Sequence, residues 1–254
     1  MIERTTSEAN SSIDQREVEQ FARQAEQWWD PRGPFRPLHQ IGPTRLQYIR
    51  ETVVAHFDIV SPGLKPLDGL DCLDVGCGGG LVSEPLARLG GSVTAIDPAP
   101  ENIAVAKRHA EACGLTIDYR ATTAEDIAAA GATFDVIVCL EVIEHVQEPE
   151  QFVATLASML RTGGLLVMST INRTPKSYLL AIVGAEYVLR WLPVGTHQWD
   201  KFVRPSELKH HMAAAGIRQF ACMGLVYNLL ADKWSLSDDV DVNYMARAAR
   251  PKAD

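Results

Sequence analysis

Leu73-Asp74-Val75-Gly76-Cys77-Gly78-Gly79-Gly80, followed by Val93-Thr94-Ala95-Ile96-Asp97, is the part of this 254-residue chain that decides its fold. The apolar run from Asp71 to Val75 predicts a buried strand. The glycines after it let the chain turn tightly, so that backbone N–H groups at the start of the next helix come close to a ligand. A Cβ in that turn would stand where the ligand goes. Asp97 ends a second strand about twenty residues on, where a carboxylate accepts both hydroxyls of an adenosine ribose.

Outward from this turn, strands and helices alternate. The pattern predicts helix Leu81 to Leu89, strand Ser92 to Ile96, helix Glu101 to Cys113, strand Thr116 to Arg120 and a short helix near Ala124 to Ala130. Strand Phe134 to Leu140, helix Pro149 to Leu160 and strand Gly164 to Thr170 follow. Such alternation requires a doubly wound, Rossmann-like α/β sheet, mostly parallel. A helix from Pro205 to Ala215 and strands Gln219 to Tyr227 and Val240 to Ala248 complete an expected seven-stranded sheet. Upstream, Arg16 to Trp29 and Pro43 to His56 read as helices. The expected organisation is therefore a helical extension over residues 1–66 and a catalytic domain over 67–254, with an apolar insert over 173–200 after the fifth strand.

Composition bounds the function. The net charge of −8 argues against a binder of phosphate backbones, which needs a basic face, so nucleic acid is not an expected partner. Five cysteines form no C-x-x-C pair and read as reduced core residues of a cytosolic protein. Met1 to Glu19 is polar, without a secretory signal or a spanning helix, so a cytoplasmic location is expected.

The glycine spacing separates classes of ligand. A dinucleotide site takes G-x-G-x-x-G or A, but here the sixth position from Gly76 is Leu81. Asp74, before the first glycine, is poorly placed beside a pyrophosphate and well placed beside an ammonium or sulfonium group. The pattern D-x-G-x-G-x-G resembles the first motif of the Rossmann-like S-adenosylmethionine-dependent methyltransferases. At the carboxyl end of the fourth strand stand Glu141, Glu144 and His145, at the edge where open α/β sheets bind ligands. Two carboxylates and an imidazole there suit Mg²⁺, or His145 suits a general base acting on a phenol. Alternatively Glu141 contacts the cofactor and the other two begin a solvated helix. The stretch Tyr178 to Leu192 is too short to span a bilayer; it reads as a lid over an apolar substrate, an interfacial helix or a buried helix. His197, Gln198, Trp199 and Lys201 follow it. His39 and Arg45 cover the cofactor in this reading, Arg45 pairing with a methionyl carboxylate. Met212 and Met223 read as packing.

A more specific likeness is carried by Trp28-Trp29-Asp30, Pro37-Leu38-His39, Pro43-Thr44-Arg45-Leu46, Leu73 to Gly80, Glu141 to His145 and Ser169-Thr170-Ile171-Asn172-Arg173. Val183-Gly184-Ala185-Glu186-Tyr187, Gly195-Thr196-His197 and Val240-Asp241-Val242-Asn243-Tyr244 extend it. Together these segments resemble the ubiquinone-biosynthesis O-methyltransferase family. The resemblance implies methylation, by S-adenosylmethionine, of a polyprenylated catechol and of a 3-demethylubiquinol. It implies cofactor contacts at Arg45, Gly76, Asp97 and Leu140, where Leu140 stands in place of the methionine of other members; Asp74 and Gly78, read from the turn itself, complete the expected cofactor set. It also implies a divalent metal, Mg²⁺, at Glu141, Glu144 and His145; the residues themselves offer His145 and Glu141 as the expected catalytic pair. A membrane-resident substrate further implies transient contact with a bilayer surface, at the inner face of the membrane, and other quinone-pathway enzymes as partners. The competing readings are C-methylation of another quinol and a non-catalytic cofactor-binding subunit of a membrane-associated assembly.

Overall fold

The computed structural model describes residues 18–19, 22–180, 182 and 198–252. Eight strands, β1 (Asp71–Val75), β2 (Ser92–Asp97), β3 (Asp118–Ala121), β4 (Phe134–Leu140), β5 (Leu160–Ile171), β6 (Arg218–Asn228), β7 (Lys233–Ser237) and β8 (Asn243–Ala249), form one sheet. Their order across it is β3-β2-β1-β4-β5-β8-β6-β7. The first five are parallel, and β8 runs antiparallel between β5 and β6. Helices α1 (Arg36–His56), α2 (Ser83–Arg88), α3 (Pro100–Ala112), α4 (Ala124–Ala129), α5 (Pro149–Ser158) and α6 (Pro205–Ala214) cover both faces.

The strands are apolar on both sides because both sides are covered. Alternation along β1 sends Leu73 and Val75 into one layer, with Phe152 and Leu156 of α5 and Leu208 and Met212 of α6. Cys72 goes to the other, with Ile49 and Val53 of α1 and Ile103 and Ala106 of α3. Burying each large aliphatic side chain here stabilises the fold by about 1.5–3 kcal/mol. The chain leaves β1 toward β2 on one side and reaches β4 on the other. The carboxyl ends of these strands, at Val75, Asp97 and Leu140, therefore flank a point where strand order reverses, and a crevice opens there.

The expected seven strands become eight, because the chain folds back once more at residues 228–233. Asn228 Oδ1 accepts the N–H groups of Leu230 at 2.9 Å and Ala231 at 3.1 Å, which fixes a tight reversal. Lys233–Ser237 then returns along β6, with Trp234 and Leu236 packed on the apolar layer beneath α1. The helix expected from Pro43 begins instead at Arg36 and carries Pro43 inside it. Proline there forfeits one backbone bond, and the helix continues because Ile41, Tyr48, Ile49 and Val53 are buried along its face. The helix expected over Arg16 to Trp29 lies partly outside the described residues and ends as a single 3₁₀ turn at Ala25–Gln27. Most of the insert Tyr178 to Leu192, and His197, also lie outside them.

Candidate active site

The glycine turn is built as a seat. Gly76 has φ +71°, and a Cβ on it would come within 2.4 Å of Val142 Cγ2. Gly78 has φ +52°, and a Cβ there would lie 2.4 Å from the Trp28 ring. Gly76 and Cys77 donate their N–H groups to the carbonyl of Ile96, at 2.8 and 2.9 Å, which ties the turn to β2. Gly78 N–H is held by Asp97 Oδ2 at 3.0 Å.

Asp97 is 7% exposed. Its Oδ1 accepts from the Ala99 N–H at 2.9 Å and the Asn102 amide at 3.0 Å. Burial raises its carboxyl above the usual range, and the donors of Ala99, Asn102 and Gly78 pull it back. Asp74 follows the same logic more strongly. It is buried, accepts from Ser83 Oγ at 2.5 Å, and burial pushes its carboxyl up to about 7 against the pull of that hydroxyl. A cation bound beside it would reverse the shift.

At the end of β4 the backbone is strained: Glu141 adopts φ +55°, a left-handed conformation that a non-glycine residue rarely holds. The surroundings keep it there. Its N–H donates to Ser169 O at 3.0 Å, and its Oε1 accepts from Arg45 Nη2 at 2.5 Å and from Ser169 Oγ at 2.6 Å. Arg45 is buried, and its Nε has no hydrogen-bond partner among the described residues. An orphaned guanidinium N–H is the group that an anionic ligand carboxylate would satisfy. Glu144 accepts from Thr170 Oγ1 at 2.8 Å; burial first, and the neighbouring Glu141 charge second, raise its carboxyl to about 7.

One cavity of about 1020 Å³ is lined by the expected cofactor, metal and catalytic residues Arg45, Asp74, Gly76, Gly78, Asp97, Leu140, Glu141, Glu144 and His145. His39 also lines it, with Nε2 2.8 Å from the Trp28 carbonyl oxygen. Its lining also includes the apolar side chains of Leu179, Leu180, Leu225, Leu229 and Trp234, together with Lys176 and Asp239. Gln198, Trp199 and Lys201 stay off it, and Met212 is core.

Sequence reasoning did not assign roles to Ser83, Asn102, Ser169, Thr170 or Trp234. Single hydroxyls and amides carry no pattern of their own, and only the carboxylates they serve gave a signal. Trp28 and Trp29 were visible as a pair, without any sign that they rest on the glycine turn.

The donor set of Glu141, Glu144 and His145 is chemically suited to a hard divalent cation. In this arrangement their ligand atoms are not gathered within 4.8 Å of one another; among the described residues only Glu84, His109 and Cys113 reach that closeness. Glu141 is instead engaged by Arg45 and Ser169, and Glu144 by Thr170.

Fold, acid-flanked glycine turn and cavity together define a Rossmann-like, S-adenosylmethionine-dependent methyltransferase. A family model described as a methyltransferase domain matches residues 73–168. Solved structures similar in fold include magnesium protoporphyrin IX methyltransferase from Synechocystis PCC 6803 with bound S-adenosylhomocysteine. It shares 20% identity at a TM-score of 0.57, over 83% of this chain and 84% of that one. A possible histamine N-methyltransferase from Thermotoga maritima shares 16% identity at a TM-score of 0.60, over 92% and 98%. Far more similar in sequence is a ubiquinone biosynthesis O-methyltransferase of Parvibaculum lavamentivorans, 54% identical over 99% of this chain and 100% of that protein. A protein of the same name from Brucella anthropi is 54% identical over 97% and 99%. The chain belongs to the ubiquinone biosynthesis O-methyltransferase family.

Proposed function

We propose that the chain transfers a methyl group from S-adenosylmethionine to a phenolic oxygen of a polyprenylated catechol and of 3-demethylubiquinol. The observation that carries this reading is one continuous cavity, whose lining includes both the acidic, glycine-lined edge of β1, β2 and β4 and apolar side chains from β6, β7 and Leu179–Leu180. One end suits a cationic nucleoside and the other a prenyl chain, whose burial contributes about 0.8 kcal/mol per CH₂.

The donor supplies an electrophilic methyl on a positively charged sulfur. In this proposal Asp97 accepts its ribose hydroxyls, Leu140 walls the adenine, and Asp74 faces the cationic part. Arg45 Nε takes the methionyl carboxylate. A catechol O–H, with a pKa of about 10, is a poor nucleophile until it is deprotonated. His145, on the cavity wall one residue from Glu144, takes that proton; Glu141 fixes Arg45 and keeps the strand end in its strained form. The phenolate oxygen then bonds to the methyl carbon as the carbon–sulfur bond breaks, and the thioether leaves neutral. Alignment of the two reacting atoms at about 3 Å supplies much of the acceleration.

Mg²⁺ at Glu141, Glu144 and His145 belongs to this proposal as a second cofactor, supported by the donor chemistry alone; gathering the three would take Glu141 off Arg45 and Ser169. No step above depends on it. Residues 1–66 act in this reading as the extension that covers the catalytic unit of 67–254. Contact with the inner face of a membrane is supported by the exposed side chains of Leu179, Leu180, Leu229 and Leu230, three of them on the cavity rim. No helix among the described residues is long and apolar enough to cross a membrane.

The test is turnover of a short-tailed prenylated catechol with and without chelator, with the methyl mapped to oxygen or carbon. Methylated oxygen supports the acceptor assignment; donor binding with every prenylated catechol left unmethylated overturns it. Loss of turnover in chelator, restored by Mg²⁺, supports the cation; unchanged turnover leaves His145 as the sole base.

A further inference from the structure

We propose that Trp28, acting through Asn102, is a positioning residue for the donor: it holds Asp97 in the orientation that receives the ribose. The chain of contacts is short and buried. Trp28 Nε1–H donates to Asn102 Oδ1 at 2.9 Å, and Asn102 Nδ2–H donates to Asp97 Oδ1 at 3.0 Å. Trp28 is 8% exposed and Asn102 2%, so neither bond competes with water.

Four further contacts fix Trp28 and its neighbour in place. Its ring stacks on Phe35, with centroids 3.8 Å apart and planes 6° from parallel. Its backbone carbonyl lies 2.8 Å from His39 Nε2. The adjoining Trp29 donates Nε1–H to the Gly79 carbonyl at 2.9 Å and stacks on His109 at 3.4 Å. The segment before α1 is thereby fastened to both α3 and the glycine turn.

This gives the glycines a second reason to be glycine. An ideal Cβ on Gly79 would sit 2.4 Å from Trp28 Cβ, and one on Gly78 would meet the ring at the same distance. Those two positions make room for the indole, while Gly76 clears Val142. The same face of the turn thus bears Trp28 while Asp97 grips Gly78 N–H. A carboxylate with several lone-pair sites still has acceptor capacity after these bonds, and the Asn102 amide dictates which direction that capacity faces.

The inference rests on reading Asp97 as the ribose acid, and its test separates the two. S-adenosylhomocysteine is titrated calorimetrically into the wild type, Trp28→Phe, Asp97→Ala and the double variant, with donor KM, acceptor KM and kcat measured alongside. Loss of one buried neutral hydrogen bond predicts about fivefold weaker binding for Trp28→Phe. Donor KM should rise with it, while acceptor KM and kcat at saturating donor stay at wild-type values. In the Asp97→Ala background, which removes the oxygen that accepts from Asn102, the Trp28 substitution should add nothing, because the relay has lost its end point. Wild-type affinity in a folded Trp28→Phe, or strictly additive losses, overturns the relay. Wild-type affinity in Asp97→Ala overturns the ribose assignment itself. If Trp28→Phe does not fold, Asn102→Ala cuts the same relay from within α3 and is read by the same criteria.

Discussion

Acidification should weaken donor binding through one buried carboxyl. Burial pushes Asp74 up to about 7, so at neutral pH the ligand-free protein is divided between the acid and the carboxylate. A donor bearing positive charge favours the carboxylate and returns the group toward its ordinary range. The sign follows: the form that attracts the donor is depleted as pH falls through 7, and binding below that point must release a proton. From pH 7 to pH 6 the carboxylate fraction drops about fivefold, and affinity with it, while an α-amine of pKa about 8 on the ligand stays charged. Calorimetry of S-adenosylhomocysteine at the two pH values, in buffers of different ionisation enthalpy, measures both the affinity and the released proton. Glu144 also sits at about 7, so Asp74→Asn is the deciding control. It should bind more weakly and lose the slope. An unchanged slope in Asp74→Asn, or a flat wild-type profile, would refute the placement of positive charge beside Asp74.

Glu144 predicts a pH effect on stability. A carboxyl raised to about 7 contributes stability at acid pH that is lost as pH rises through its folded value. Between pH 6 and pH 8 this one group should cost about 1.4 kcal/mol, a slope that urea melts should find missing in Glu144→Gln. Gly76→Ala faces both a positive φ and Val142 Cγ2 at 2.4 Å. The backbone conformation alone costs about 1–2 kcal/mol, so a lowered melting temperature and weakened donor binding are expected together. Arg45→Ala should reduce donor affinity by about tenfold or more, as expected for a lost charge-assisted hydrogen bond. Adding Glu141→Gln should recover stability but not affinity; recovery of both, seen by calorimetry and thermal melts, would remove Arg45 from the donor.

The parallel half of the sheet was legible because its strands are bounded by unambiguous signals: apolar runs closed by glycine turns, with Asp74 and Asp97 at fixed offsets. The extra strand was not. Lys-Trp-Ser-Leu-Ser over residues 233–237 is a faint period-two pattern, and it becomes a strand because Trp234 and Leu236 find the layer under α1. Pro43 misled for the opposite reason, since a local helix breaker was overruled by packing on both sides of it. The site's carboxylates could be read from their places at strand ends. What could not be read was their occupancy: Glu141 facing Arg45 and Ser169, and Asp97 wired to Trp28, are contacts across 96, 28 and up to 74 residues that no local pattern encodes.

Adjacent positions on α1 serve opposite ends of the cavity. Arg45 reaches Glu141 at the strand edge, while Thr44 Oγ1 donates to the Trp234 carbonyl of β7 at 3.2 Å. A rigid helix cannot move one without the other, so a tilt of α1 would shift the β4 edge and the β7 side of the cavity in concert. Engineering that trims the chain to begin at β1 would keep every described strand yet remove this shared crossbar, leaving the cavity without the Arg45 and Leu46 part of its wall.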